Sequence, residues 1–455
     1  MKGFVTKLLV VGVVGVLLMI AGMMLNSVVR DRLFNRQQAR ESITESMADA
    51  QRIAGASLVI PYVEQYQDVE TDPVTRNVRT VTRRVDHQLE VLPERTDFKG
   101  DMVTDPRYRG LFRVNGYVLG ATMNGDFEVP PLDKLARNKT DSQIKLGTAR
   151  LVVGISDPRG LRRLEMKLDG TPYAVEAGTG EGRQRQGAQA LIENATSLFG
   201  RKLRFDMSID LVGTDSLQLV PLGRESTARI SSPWPHPSFG GRFLPADKQI
   251  SERGFSANWR VSALATTARS TWKNLNETPD AFSVSLIDPV DIYVLADRAS
   301  KYASLFVAIT LGGFLLFELL RSLRLHALHY LLVGAALLIF FLLLLGLSER
   351  LGFAMAYALA SSACVLLISI YAMPLLRSVW LAAGFGAGLA SLYGALYMIL
   401  ISEQNALLMG SLLLFGLLAA VMLGTRKVDW HALLAERTSR LDDVQDDDGI
   451  AGTAA

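Results

Sequence analysis

The densest group of side chains able to do chemistry or recognition is SSPWPHPSFGGRFLPA, residues 231–246. It sets the imidazole of His236 between the rings of Trp234 and Phe239, with Phe243 close behind. Pro233, Pro235, Pro237 and Pro245, four of the chain's 16 prolines, stiffen the run. Rings on a backbone already rigid can recognise a glycan, a peptide or a partner protein at little ordering cost. The same rings can instead close one end of a hydrophobic core, each burying roughly 150–250 Å². Proline lacks the N–H that helix interiors and central strands need, so the run is expected to have no regular structure. Trp234, Pro235, His236, Pro237, Phe239 and Phe243 are the candidate recognition or plug residues.

Other constellations are weaker. GTGEGRQRQG (178–187) is glycine-rich but has neither the G-x-x-x-x-G-K-[ST] nor the G-x-G-x-x-G pattern of a phosphate cradle, so it reads as a loop. His326 and His329 are spaced to share a metal, but their loop offers no carboxylate or cysteine, and zinc takes three or four ligands. His87 and His236 are far apart and suggest no pair. The chain has no G-x-S-x-G elbow and no H-E-x-x-H. Cys364 is its one cysteine, so it forms no internal disulfide and no thiolate metal site. No cofactor is implied.

These residues are carried by two different materials. Residues 302–423 are almost entirely apolar, whereas 30–301 have an ordinary soluble composition. Residues 30–301 hold 38 of the 48 Lys and Arg and 35 of the 45 Asp and Glu, a balance that gives no case for nucleic-acid binding. Six segments approach the roughly 20 apolar residues that a bilayer requires: 8–29, 302–320, 330–347, 353–373, 378–401 and 406–423. The first is too long for a signal peptide and reads as an uncleaved anchor. With the N-terminus inside, Arg321, Arg324, Arg377, Arg426 and Lys427 face the cytoplasm and Arg350 alone faces out in the short loops. Both termini are therefore expected in the cytoplasm and 30–301 in the periplasm.

The expected architecture is a six-helix transmembrane bundle with a large all-β, sandwich-like periplasmic domain inserted between helices 1 and 2. Its parts are an anchor (1–29), a helical stalk (30–53), the β-rich domain (54–301), five transmembrane helices (302–423) and a largely disordered cytoplasmic tail (424–455). Short β-branched stretches broken by Gly, Pro and Asp, such as RTVTRRVDHQLEVL and KLRFDMSIDLVG, support the β assignment. Asn115-Gly116 and Asn124-Gly125 have the composition of tight hairpin turns. One large sandwich or two small ones both fit the length.

No span has an ionisable residue at mid-depth, which argues against ion-coupled transport. Glu318, in the last turn of the second span, is spaced to pair with Arg321 at the interface. Gly384 and Gly388 have the spacing that lets helices approach closely, for packing in the bundle or for a homo-oligomer or partner interface.

The run SSPWPHPSFGGRFLPADKQISERGFSANW resembles a hallmark of the CreD family of bacterial inner-membrane proteins, with Pro233 where that family has Asn. ADRASKYASLFVAITLGGFLLFE (296–318), RLHALHYLLVGAALLIFFLLLLGLSE (324–349), VEAGTG (175–180) and TRKVDW (425–430) also resemble family elements, in the same order over nearly the whole chain. The resemblance implies an inner-membrane protein of the envelope stress response, under a two-component system. It also implies links to colicin tolerance, envelope integrity and β-lactam response, and no established catalytic activity. The leading expectation is a non-enzymatic protein supporting the envelope. Its partners would be the lipid bilayer and envelope proteins or glycans. The alternatives are a transporter or presenter of a lipid or envelope precursor, and a cell-wall glycan-active enzyme.

Overall fold

The computed structural model describes residues 2–71, 78–180, 186–271, 280–288, 291–320, 325–402 and 405–426. They fall into two compact units, Gln37–Pro289 and Met1–Arg36 with Val290–Ala455. Arg321, residues 181–185 of the glycine-rich loop and the tail beyond Arg426 lie outside the described residues.

An unbroken helix, α1 (Lys2–Ser46), contains neither Pro nor an interior break. The chain then turns to strand at Gln51, three residues before the expected boundary. Seventeen strands follow: β1 (Gln51–Thr71), β2 (Val78–Val91), β3 (Arg95–Arg109), β4 (Phe112–Glu128), β5 (Gln143–Leu146), β6 (Ala149–Ile155), β7 (Leu161–Leu168), β8 (Thr171–Tyr173), β9 (Val175–Ala177), β10 (Gly187–Ile192), β11 (Lys202–Thr214), β12 (Ser216–Val220), β13 (Glu225–Ser232), β14 (Pro237–Gly241), β15 (Asp247–Ser251), β16 (Gly254–Ser262) and, after the one-turn helix α2 (Ala268–Thr271), β17 (Phe282–Leu286).

Side chains alternate across each strand, so an apolar residue at every second position gives one buried face. In β11 that set is Leu203, Phe205, Met207, Ile209 and Leu211; in β3 it includes Phe98 and Met102. One sheet runs β14-β17-β12-β1-β6-β10-β9, with β2 and β5 also on β1; the other runs β15-β16-β13-β3-β4-β11-β7-β8. Most pairings are antiparallel, but β1 with β12 and β3 with β13 are parallel. Ile53, Leu58 and Val153 from the first sheet and Phe98, Phe205 and Trp259 from the second belong to a single core. The β region is therefore one sandwich.

Neither Asn-Gly pair makes a turn: both lie inside β4, opposite Pro106-Asp105 and Asp97-Thr96 of β3. Their glycines are required for closeness. A Cβ on Gly125 would lie 2.1 Å from the Arg95 carbonyl oxygen and 2.7 Å from the Phe205 ring; one on Gly116 would lie 2.6 Å from the Asp105 oxygen. The β3–β4 turn is made by Gly110, at φ 61°.

The second unit holds α3 (Ile292–Lys301), α4 (Ala303–Leu320), α5 (Ala327–Leu351), α6 (Phe353–Leu376), α7 (Val379–Ile401) and α8 (Ala406–Thr425). Residues 292–301, expected to close the β domain, instead form an amphipathic helix of this unit. Asp291 caps it by accepting from the Tyr293 and Val294 amides, and Leu295 and Ala299 enter the helical core. α3 and α4 meet at 43°, and among the described residues five helices are long and apolar enough to span a bilayer, or six if that bent pair is one span. The core is aromatic: Phe340 lies 4.5 Å from Tyr393, whose carbonyl accepts from the Tyr357 hydroxyl at 2.6 Å.

Candidate functional site

Residues 233–246 carry the chain from one sheet to the other and back. β13 ends at Ser232 in the second sheet, β14 pairs with β17 in the first, and β15 returns to the second against β16. Contrary to the expected lack of regular structure, Pro237–Gly241 is a strand. It is an edge strand, where a proline's missing N–H costs no ladder bond. Gly241, at φ 80°, ends it where a Cβ would meet the Ala281 oxygen at 2.3 Å.

The aromatic residues of the run point back onto the core. Trp234, Phe239 and Phe243 are part-buried against it. Phe239 meets Phe255 and Trp259 edge-on, each at 5.7 Å. Trp259, 2% exposed, stacks on Phe282 of the opposite sheet at 5.1 Å and donates its indole N–H to the Phe243 carbonyl. Trp234 donates Nε1–H to the His236 carbonyl at 3.0 Å, and the Arg113 guanidinium lies 5.7 Å over its ring. Pro235 and Pro237 are half-buried, while His236 and Pro233 are exposed. The run thus staples the two sheets together.

A buried acid and a histidine do meet elsewhere, unannounced by the sequence. Glu64 of β1 is fully buried. Its Oε1 accepts from the Asn138 and Lys139 amides at 2.7 and 3.1 Å, and its Oε2 from Asn138 Nδ2 at 2.8 Å; His87 Nε2 lies 2.9 Å from Oε2. Burial pushes the carboxyl up, but hydrogen bonds from the Lys139 amide, the Ser142 and His87 side chains and the Asn138 amide outweigh it and hold it at about 2. His87 stacks on Tyr62 at 5.0 Å, and Tyr62 donates to the Ala136 carbonyl. Both Glu64 oxygens are occupied by the 136–142 loop, so this carboxylate anchors a loop and is not free to take a substrate proton. What brings them together is the β1–β2 register, which puts Tyr62 opposite His87.

Among the described residues no group of three or more His, Cys, Asp or Glu can hold a metal. His326 caps α5 by accepting from the Leu328 amide, and His329 Nδ1 shares a hydrogen bond with the Tyr371 hydroxyl at 2.7 Å. Glu318, 1% exposed, accepts from the Tyr330 hydroxyl at 2.6 Å. Its expected partner Arg321 is outside the described residues.

Among the described residues Gly384 and Gly388 do not pack against a helix: a Cβ on either meets nothing within 4 Å. They line an apolar cleft of about 840 Å³ among α4, α7 and α8, with Gly312, Gly313 and Gly416. The close approaches lie at other glycines. A Cβ on Gly386 would sit 2.2 Å from Ser369 Oγ, and one on Gly334 would sit 2.1 Å from Leu18.

The family model described as "Inner membrane protein CreD" matches residues 3–431. The chain belongs to the CreD family. A relative so named, from Escherichia coli strain K12, is 34% identical over 439 residues, covering 95% of each chain. Membership of the CreD family makes this an inner-membrane protein with several apolar helices and a β-rich domain. Among solved structures, two of an M1 zinc metallopeptidase from Deinococcus radiodurans, one with a Tyr-Ser-Ala substrate, align with 43% of this chain and 42% of theirs. Their identity is 10% and their TM-scores are 0.23 and 0.22, too low to carry any argument about a CreD chain.

Proposed function

We propose that the chain is a non-enzymatic inner-membrane protein that supports envelope integrity in a stress response under a two-component system. In this reading six spans, with α3–α4 counted as one, hold the sandwich in the periplasm and leave both termini in the cytoplasm. The observation that carries it is the way the sandwich is tethered. Met47, at the end of α1, touches Gly116, and the Leu286 carbonyl accepts from Asn115 Nδ2, so the chain enters and leaves the sandwich at one end. Such a domain suits display on a bilayer. The excess of Arg and Lys in the loops assigned to the cytoplasm supports the orientation. The bilayer is the first partner, and envelope proteins or glycans are the others.

The test is a chromosomal deletion, complemented in turn by the wild-type chain and by one with Val59 to Val63 of β1 deleted. Uptake of a membrane-impermeant dye is read under cell-wall-active antibiotic. Increased uptake, reversed only by wild type, is expected. A deletion strain no leakier than its parent under envelope stress would sink the reading.

The cleft among α4, α7 and α8 favours a second reading, a presenter of a lipid or envelope precursor. Its volume and apolar lining suit a small apolar ligand, and the Thr310 hydroxyl on its wall, 4% exposed, has no hydrogen-bond partner among the described residues. A lipid co-purifying at fixed stoichiometry and lost in Gly388→Leu would support it.

A further inference from the structure

The β3–β4 hairpin outruns its sandwich. β11 pairs with β4 only as far as Gly116, and β13 pairs with β3 only as far as Asp101. Beyond Asp105–Gly116 the two strands pair only with each other, through Pro106–Asn115, Arg107–Val114, Tyr108–Arg113 and Arg109–Phe112. Asn115 is still held, accepting from the Asp215 amide and donating to the Leu286 carbonyl, and Val114 and Asn115 are buried, so the exposed part is Pro106–Leu111 with Arg113. The tip reads PRYRGLFR (106–113). Tyr108 is 64% exposed and Leu111 58%. Arg107 pairs with Asp105, but Arg109 and Arg113 have no carboxylate partner among the described residues. Exposed aromatic and aliphatic side chains interleaved with arginines are what a bilayer interface selects: the rings and stems enter the headgroup layer while the cations meet phosphate.

The position of the ribbon matches its composition. It projects from the end at which the chain enters beside Met47 and leaves after Leu286. Its exposed end, from Arg107 to Gly110, extends about 10 Å at strand rise. Only four residues lie between Leu286 and Asp291, the cap of α3, a path of five steps and at most about 18 Å. Trp234 lies under the guanidinium of Arg113, one pair from the tip, and so steadies the ribbon, which gives the proline-rich run a second use.

We propose that the 106–113 hairpin is a membrane-contact element that inserts Tyr108 and Leu111 among lipid headgroups and binds anionic ones through Arg109 and Arg113. This rests on the membrane reading above. The test uses the full chain in nanodiscs, with Cys364→Ala removing the native thiol. An environment-sensitive fluorophore is attached at Leu111→Cys, at Leu366→Cys on the outer face of α6, or at Val69→Cys on the other long hairpin. Quenching is read with a nitroxide-bearing lipid, with and without phosphatidylglycerol.

The label at 111 is expected to be quenched several-fold more than that at 69. Arg109→Glu with Arg113→Glu is expected to weaken the phosphatidylglycerol-dependent part by at least about 5-fold per arginine, the attraction of one basic side chain to an anionic surface. An unquenched label at 111 beside a quenched one at 366 overturns the proposal alone. Quenching at 111 indifferent to phosphatidylglycerol and to the charge reversals overturns its anionic specificity. An unquenched label at 366 overturns the membrane reading and this inference with it.

Discussion

Phe239 decides whether the proline-rich run is first a staple or first a recognition face. Its ring lies edge-on to both Phe255 and Trp259, and those two belong to the core joining the sheets. Truncating a fully buried phenylalanine to alanine costs about 3–5 kcal/mol. Phe239 is half-buried, and each edge-on pair adds about 0.5–1.5 kcal/mol beyond area burial, so Phe239→Ala should cost about 2–3 kcal/mol. For a domain of this size each kcal/mol moves the midpoint by about 2–4 °C, which gives a fall of roughly 4–12 °C. Phe239→Leu keeps most of the volume and should lose about a third as much. His236→Ala should move the midpoint by no more than about 1–2 °C, because the exposed ring contributes nothing and the backbone carbonyl that Trp234 uses is retained. Thermal unfolding of the full chain in nanodiscs, followed by tryptophan fluorescence, reads all three, since Trp234 and Trp259 flank the site. A Phe239→Ala midpoint indistinguishable from wild type would refute the packing argument and leave the ring as a surface for a partner.

Glu64 gives a pH signature. Its carboxyl is held at about 2 in the fold against an ordinary 4.5, so the unfolded chain takes up the proton first as the pH falls. The stabilisation is complete above 4.5 and lost as the pH drops through 2, so wild type and Glu64→Gln should converge in midpoint across that window; parallel pH profiles would contradict the assignment. Gly125→Ala places a methyl 2.1 Å from the Arg95 oxygen and should cost more than about 3 kcal/mol, enough to abolish folded yield, whereas Gly120→Ala should be tolerated. In the helical unit, Gly386→Ala drives a Cβ into Ser369 Oγ and should lower the detergent melting temperature. Gly384→Ala faces open space and should leave it unchanged, and the reverse order would show that the cleft is closed by packing.

The sequence by itself determined the class of each part. Apolar runs with almost no charge can be satisfied only as helices in a bilayer, and period-two patterns such as KLRFDMSIDL can bury only one face of a strand. Its long ordered resemblance also identified the family, which the match over residues 3–431 shows. Local composition failed where the controlling contact is remote in the chain. Asn115-Gly116 and Asn124-Gly125 look like turns, but their glycines exist because Asp105, Arg95 and Phe205 press on them from neighbouring strands. Gly384 and Gly388 have the spacing of a helix interface, yet the helix contact falls at Gly386, because the rotation of α7 against α6 sets which glycine faces Ser369. Glu64 and His87 became partners only when β1 and β2 took their register and the 136–142 loop folded over them. The proline-rich run advertised rigidity; that it crosses between two sheets, with Trp259 and Phe282 stacked between them, follows from strand order, which no window of sequence contains.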